Sequence, residues 1–161
     1  MYSAVNPDIE FVALLESDIE VIAEQEAVAS SHPWNAAMLG NSLEAGADCG
    51  CILRRDQRVG YCVIQQVLDE AELLNIVIFK PFQGKGLGKQ AMRCLQTRLA
   101  STGVQRVFLE VRQSNGVARR LYERSGFVQS GIRKAYYRSR IPDQSAEDAV
   151  LMVCELSGAD F

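Results

Sequence analysis

The sequence predicts an α/β protein of the α+β type: a mixed, mostly antiparallel central sheet with flanking helices. Three observations carry this prediction. Apolar runs at Ala47–Leu53, Val59–Val67 and Glu72–Phe79 are separated by turns of a few residues, the spacing of an antiparallel meander. A glycine-rich stretch, Gln83–Gly88, then joins the third run to a helix-like run from Leu87 to Ala100. A further apolar run, Val104–Val111, follows that helix, and such a strand–helix–strand crossover is right-handed and makes its two strands parallel.

The whole chain sets bounds. Its 161 residues suffice for one domain with a proper core, so residues 1–161 are expected to form a single domain. The net charge of −3 argues against nucleic acid as a direct partner and confines any positive field to local clusters. Met1 to Ile9 carries no basic leader region, and no apolar run approaches ~18 residues, so neither a signal peptide nor a membrane span is expected. The five cysteines (Cys49, Cys51, Cys62, Cys94, Cys154) are scattered in apolar contexts without a C-x-x-C, and His32 is the only histidine. That pattern predicts reduced thiols in a cytoplasmic protein and no metal site.

The elements follow in order. Asp8–Leu14 alternates loosely and predicts a first strand. Ser17-Asp18-Ile19-Glu20 has capping-box spacing and predicts a helix to about Ala29, with Ile19, Ile22, Ala23 and Glu26 at helical steps. Pro33 breaks it, and Asn35 caps a second helix to about Glu44. Trp34 lies in the loop between them, either as a core plug or as a wall facing a ligand. After the meander, the helix from Leu87 carries Leu87, Ala91, Cys94, Leu95 and Leu99 on one face, with Gln96 among the polar residues opposite. Val107, Leu109 and Val111 share one side of the next strand, and Phe108 and Glu110 the other. Ser114-Asn115 caps a helix with Val117, Ala118, Leu121 and Tyr122 inward, and Gly126 stops it. Phe127–Ile132 predicts a strand, Arg133–Gln144 a loop or hairpin tip, and Ala149–Leu156 a closing strand.

The glycine stretch points to a phosphate-bearing ligand. A helix N-terminus exposes unpartnered N–H groups and partial positive charge. Gly84, Gly86 and Gly88 allow close approach, and Lys85 and Lys89 add cations. A P-loop is excluded because Lys89 is followed by Gln90. Gly86, Gly88 and Ala91 do fit G-x-G-x-x-A, with Glu110 about 20 residues on, as in dinucleotide sites. The antiparallel meander ahead of the turn argues against that fold.

Three motifs then converge. Q-x-x-G-x-G at Gln83–Gly88, L-E-V-R at Leu109–Arg112, and S-N-x-x-A-x-x-L-Y-x-x-x-G-F from Ser114 to Phe127 resemble the GNAT family of acetyl-CoA-dependent N-acetyltransferases over nearly the full chain. His32-Pro33-Trp34, Leu68-Asp69-Glu70-Ala71, Arg133-Lys134-x-Tyr136-Tyr137 and Glu147–Met152 narrow the resemblance to the branch that acetylates the N-terminal alanine of ribosomal small-subunit protein eighteen. The resemblance implies the GNAT fold, with a splayed parallel strand pair that admits acetyl-CoA. The backbone of Ile76, Val77 and Ile78 would bond the pantetheine arm. Amides around Gln83, Gly84, Lys85, Gly86, Leu87, Gly88 and Lys89 would hold the pyrophosphate, and Asn115 would touch the same ligand. One departure stands: the family's proline two places after Ile78 is here Lys80, with proline following at Pro81.

The implied reaction is direct attack of an amine on a thioester. A peptide α-amine has a pKa near about 8, so a proton must first be removed. Glu110 is the implied base; its alternative is a strand-end carboxylate paired with Arg112 or Arg106. Tyr122 is the implied acid, seven residues and about two helical turns after Asn115; its alternative is a buried tyrosine with a structural hydrogen bond. The acceptor, a ribosomal small-subunit protein N-terminus, would lie near Trp34, Tyr136 and Tyr137, with Glu24, Glu26, Glu147 and Asp148 complementing its basic residues. Lysine side chains, other N-termini and small amines are the alternative acceptors. A non-catalytic acyl-CoA sensor is the alternative of another class.

Overall fold

A computed structural model describes residues 8–156. Most of the segment on which the absence of a leader was read, residues 1–7, lies outside them. Seven strands form one sheet in the order β1-β2-β3-β4-β5-β7-β6. They are β1 (Ile9–Ala13), β2 (Asp48–Arg54), β3 (Gln57–Val67), β4 (Glu70–Ile78), β5 (Arg106–Arg112), β6 (Val128–Tyr137) and β7 (Glu147–Glu155). Four α-helices flank it: α1 (Ile19–Ala29), α2 (Ala36–Glu44), α3 (Leu87–Ser101) and α4 (Gly116–Arg124). Only β4 and β5 pair in parallel; every other ladder is antiparallel. This is the mixed sheet that the meander and the glycine crossover predict.

Local chemistry sets the boundaries. Arg55 and Asp56 both take positive φ, the twist a two-residue hairpin needs, so the β2–β3 turn sits one residue earlier than expected. Asn35 Oδ1 accepts the Met38 N–H and starts α2 where the sequence placed it. The capping box expected at Ser17 does not form. Asp18 instead accepts the Leu15 N–H, closing a short 3-10 turn, and pairs with Arg58 at 2.7 Å. The Arg133–Gln144 segment is also corrected: β6 continues through Tyr136 and Tyr137, because β7 offers it an edge as far as Tyr137↔Glu147.

The sheet buries a core on each face. On one, Leu73, Leu109 and Met152 pack with Met92, Leu95 and Leu99 of α3. On the other, Tyr61, Val63 and Cys51 pack under Ile22 of α1 and Leu39 of α2. Gln96 is buried rather than outward, donating to the Ser125 carbonyl at 2.7 Å and so tying α3 to the end of α4. Val117, expected inward, is exposed because the inner stripe of α4 is carried by Ala118, Leu121 and Tyr122.

Candidate active site

The β4–β5 ladder runs from Glu70↔Arg106 to Leu73↔Leu109 and stops there, although β4 continues to Ile78 and β5 to Arg112. The two strands therefore fork after Leu73 and Leu109. On its other edge β4 stays paired with β3, at Ile76↔Cys62, Val77↔Tyr61 and Ile78↔Gly60. The β4 edge facing the fork keeps open backbone groups that an extended ligand can bond as an added strand. A bulge precedes it: Val63 pairs with Asn75 and Ile64 with Leu73, leaving Leu74 unpaired. Gly60 lets β3 approach here, since a Cβ on it would overlap the Val77 carbonyl oxygen.

The glycine turn follows directly. Phe79 is buried, Lys80–Phe82 forms a 3-10 turn that takes up Pro81 at its start, and Gly84 and Gly86 sit at φ 74° and 75°. Gly86 is the N-cap of α3, and no side chain caps that helix, so its first N–H groups are available to an anion. Lys85 and Lys89 are exposed beside it. Gln83 has a different job from its neighbours: its Nε2 donates to the Ile78 carbonyl at 2.9 Å and the Ala29 carbonyl at 3.3 Å, clamping the end of β4 to the end of α1. Asn115 likewise spends its Oδ1 on the Ala118 N–H, capping α4. The fork and the turn fit an extended ligand that ends in an anionic group, in that order along β4 and α3.

Glu110 is the first β5 residue past the last rung of the ladder. It pairs with neither Arg106 nor Arg112. Arg106 is bound to Glu70 at 2.7 Å and Arg112 to Glu147 at 3.3 Å, whereas Arg133 Nη1 lies 3.1 Å from Glu110 Oε1. Arg133 and Arg112 also lie over the Tyr136 and Tyr137 rings, at 4.9 and 4.1 Å from their centroids. Burial pushes the Tyr122 phenol up to about 12, with Tyr137 adding to the rise. Burial also raises Tyr137, and Glu110 adds to that. Glu110, Tyr137 and Tyr122 are thus electrostatic neighbours. A groove of about 630 Å³ opens on this side, lined among others by Glu70, Glu72, Phe108, Glu110 and Arg133.

The remaining expectations divide. Trp34 is half-buried: it packs against the α1–α2 core and keeps one side open. Glu24 is exposed. Glu26 is not a surface charge at all: it is 1% exposed. Glu147 and Asp148 are spent on Arg112 and Ser114, and on Lys134 and the Ala135 N–H. Sequence reasoning missed Glu72 and Asn75 as residues of interest. For Asn75 there was a signal, a lone amide within Leu73-Leu74-Asn75-Ile76-Val77-Ile78, which must find a partner when buried. Among the described residues no group of three or more His, Cys, Asp or Glu could hold a metal ion, and no helix is long and apolar enough to cross a membrane.

Comparison with known proteins agrees with this geometry. The family model described as Acetyltransferase (GNAT) family matches residues 14–127. A ribosomal protein bS18-alanine N-acetyltransferase from Haemophilus influenzae is 40% identical over 139 residues, covering 86% of this chain and 93% of that one. Its counterpart from Haemophilus ducreyi is 36% identical over 143 residues, covering 89% and 97%. The crystal structure of the ribosomal-protein-S18-alanine N-acetyltransferase from Escherichia coli superposes with a TM-score of 0.81 at 30% identity, covering 94% of this chain and 96% of that one.

Proposed function

The chain belongs to the acetyltransferase (GNAT) family, and from that premise we propose that it transfers the acetyl group of acetyl-CoA to the N-terminal alanine amine of ribosomal protein bS18. The observation that carries the chemistry is the fork: an open β4 edge leads into an uncapped helix N-terminus, with Glu110 as the first residue beyond the parting on β5. The choice of acceptor draws on the names of the relatives. It also draws on a groove in which Glu72 adds a carboxylate to the Glu70–Arg106 and Glu110–Arg133 pairs, suited to an N-terminus with basic residues behind it. A ribosomal acceptor calls for action in the cytoplasm.

In this reading acetyl-CoA supplies a thioester carbonyl open to attack, and the protein's residues do the rest. The backbone of Ile76, Val77 and Ile78 holds the pantetheine arm as an added strand. The amides from Gln83 to Lys89 hold the pyrophosphate with help from Lys85 and Lys89, and Asn115 flanks the same ligand. Trp34, Tyr136 and Tyr137 border the acceptor. Glu110 takes a proton from the amine, directly or through a water. It must leave Arg133 to do so, and an incoming ammonium competes with that guanidinium for the same oxygen. Tyr122, held up to about 12, stays protonated at every working pH. A phenol that weak does not hand its proton outright to a thiolate of ordinary pKa, about 8.5. Its role is to hydrogen-bond the leaving sulfur while bulk water supplies the proton. Orientation of the two substrates contributes the remainder.

The test is mass spectrometry of the hexapeptide Ala-Arg-Tyr-Phe-Arg-Arg after incubation with acetyl-CoA, beside the same peptide with a blocked α-amine and an added lysine. Acetylation of the free alanine amine alone supports the reading. Acetylation of the lysine, or of neither peptide while acetyl-CoA still raises the melting temperature, overturns the acceptor and leaves another amine in its place.

A further inference from the structure

The α1 face of the sheet buries a carboxyl group that the reaction above leaves idle. Glu26 Oε2 accepts the Tyr61 hydroxyl, and Glu26 Oε1 accepts from Asn75 Nδ2 at 3.1 Å. Asn75 Nδ2 gives its second hydrogen to the Tyr61 oxygen at 2.8 Å. Burial first, and the Glu26 carboxyl next, push the Tyr61 phenol far up, so it remains a donor. The three residues close a triangle in which each donor hydrogen is used. Replacing such a buried network by apolar residues of like volume is often neutral or stabilising, so stability by itself does not call for it.

Its position does. Asn75 is the first paired residue after the β4 bulge, two places past the last rung at Leu73, and Glu110 is one place past Leu109. Leu109 and Val111 point into the α3 core, so Glu110 points to the α1 side, the side on which Tyr61 and Val77 also pack. Asn75 and Glu110 therefore flank the mouth of the fork on the same face, one from each strand. Both hydrogens of the Asn75 amide are committed inward, because a carboxyl oxygen and a donating phenol can only accept from it. The atom it has left is Oδ1, an acceptor.

We propose that Asn75 Oδ1 holds the attacking amine opposite Glu110, and that Glu26 is the positioning residue that keeps Oδ1 turned outward. The proposal rests on the amine-acetylation reading. The ammonium first gives up one proton to bulk water, and the neutral amine that attacks has two hydrogens: Asn75 takes a hydrogen bond from one, and Glu110 removes the other as the C–N bond forms and the C–S bond breaks. The retained hydrogen becomes the product amide N–H, the acetyl carbon keeps its oxygen, and the sulfur leaves with its electron pair under the Tyr122 hydroxyl. Glu26→Gln is the telling substitution. It keeps shape and volume but leaves one acceptor where the triangle uses two: with that oxygen kept on the Tyr61 hydroxyl, its N–H faces Asn75, and the Asn75 amide rotates and offers a donor where the amine needs an acceptor.

The experiment compares wild type, Asn75→Ala and Glu26→Gln by steady-state kinetics on the alanyl hexapeptide and on hydroxylamine, and by calorimetric titration of acetyl-CoA. Side-chain amide exchange of Asn75 is followed by NMR in the free protein. The expected result is a kcat lowered about tenfold or more in both variants, with acetyl-CoA affinity changed by less than about twofold. In Glu26→Gln the Asn75 amide protons, slowly exchanging in wild type, exchange at least about tenfold faster. Wild-type kcat and peptide KM in Asn75→Ala overturn the proposal. So does loss of acetyl-CoA affinity in place of kcat, which would make the triangle a support for the cofactor strand. If wild type acetylates hydroxylamine and not the peptide, the bS18 reading fails by itself, and the same kcat ratios on hydroxylamine decide the role of Asn75.

Discussion

Arg133 Nη1 lies 3.1 Å from Glu110 Oε1, joining the base proposed on β5 to the strand two places away in the sheet. The Arg133 side chain is 53% exposed and that of Glu110 21%, so the pair contributes little to stability, below about 1 kcal/mol. Glu110→Gln keeps an oxygen for Arg133 to donate to and removes only the capacity to take a proton. The expected outcome is a kcat about 10²- to 10⁴-fold lower, with melting temperature and acetyl-CoA binding nearly unchanged. Kinetics beside a thermal melt check it; a kcat within about threefold of wild type would remove Glu110 from the proton path.

Tyr122 gives a pH prediction. Its pKa is raised in the folded protein to about 12, so the folded state retains a proton that the unfolded state loses near its ordinary value of about 10. The stability this contributes is fully present below the unfolded value and is lost as pH rises from there through the folded value. The melting temperature should therefore decline above about pH 10, and Tyr122→Phe should decline less steeply. Activity should rise with pH through the acceptor amine's value near about 8 and then level off, with no fall attributable to Tyr122 below about pH 11. A descending limb between pH 8 and 10 that vanishes in Tyr122→Phe would contradict this. The same variant should lower kcat by removing the hydrogen bond to the leaving sulfur.

Much of the fold was legible because local chemistry decided it. The ends of α2 and α3, the short turns of the meander and the crossover at Gly84–Gly88 follow from Asn35, the turn residues and the glycines themselves. What the sequence could not show was partnership across long separations. Glu110 was read against Arg106 and Arg112 because these lie near it in sequence, whereas its partner is 23 positions away on β6. Glu26 was read as a surface charge because its own helix is acidic; its burial depends on Tyr61 and Asn75, 35 and 49 positions on. Gln96 on α3 was misread for the same reason, its carbonyl partner lying at Ser125. The strand character of Tyr136 and Tyr137 likewise comes from the edge of β7, not from their own segment.

The turn that meets the pyrophosphate is tested at Gly86. Its φ is 75°, and a Cβ built there would meet nothing within 4 Å, so Gly86→Ala costs backbone strain and no clash. That strain is about 1–2 kcal/mol for an L-residue in the left-handed region. The α3 N-terminus should tilt or loosen to relieve it, weakening acetyl-CoA binding by roughly tenfold while the protein still melts cooperatively. Lys85→Ala and Lys89→Ala should weaken binding less and flatten its dependence on salt, because exposed lysines act through screened charge. Calorimetric titration at two ionic strengths separates the two effects; an unchanged affinity in Gly86→Ala would move the phosphate site elsewhere.

Gly60 provides the sharpest structural test. Its backbone faces Ile78 across the β3–β4 ladder, and a side chain there would overlap the Val77 carbonyl oxygen. No rotamer relieves a clash between a Cβ and backbone, so the neighbouring strand has to move. That strand is the open edge along which the pantetheine arm is proposed to lie. Gly60→Ala should therefore cost stability by about 1–3 kcal/mol, as overpacking does, and should lose acetyl-CoA affinity out of proportion to that cost. Gly40→Ala is the control: it sits within α2, its added methyl meets only Ile19 Cδ1 at an ordinary 3.9 Å, and alanine favours a helix interior by about 0.5–1 kcal/mol. Denaturant melts and acetyl-CoA titration of the two variants read the contrast. Equal acetyl-CoA affinity in Gly60→Ala, at whatever stability, would mean that the ligand does not use the Ile76–Ile78 backbone.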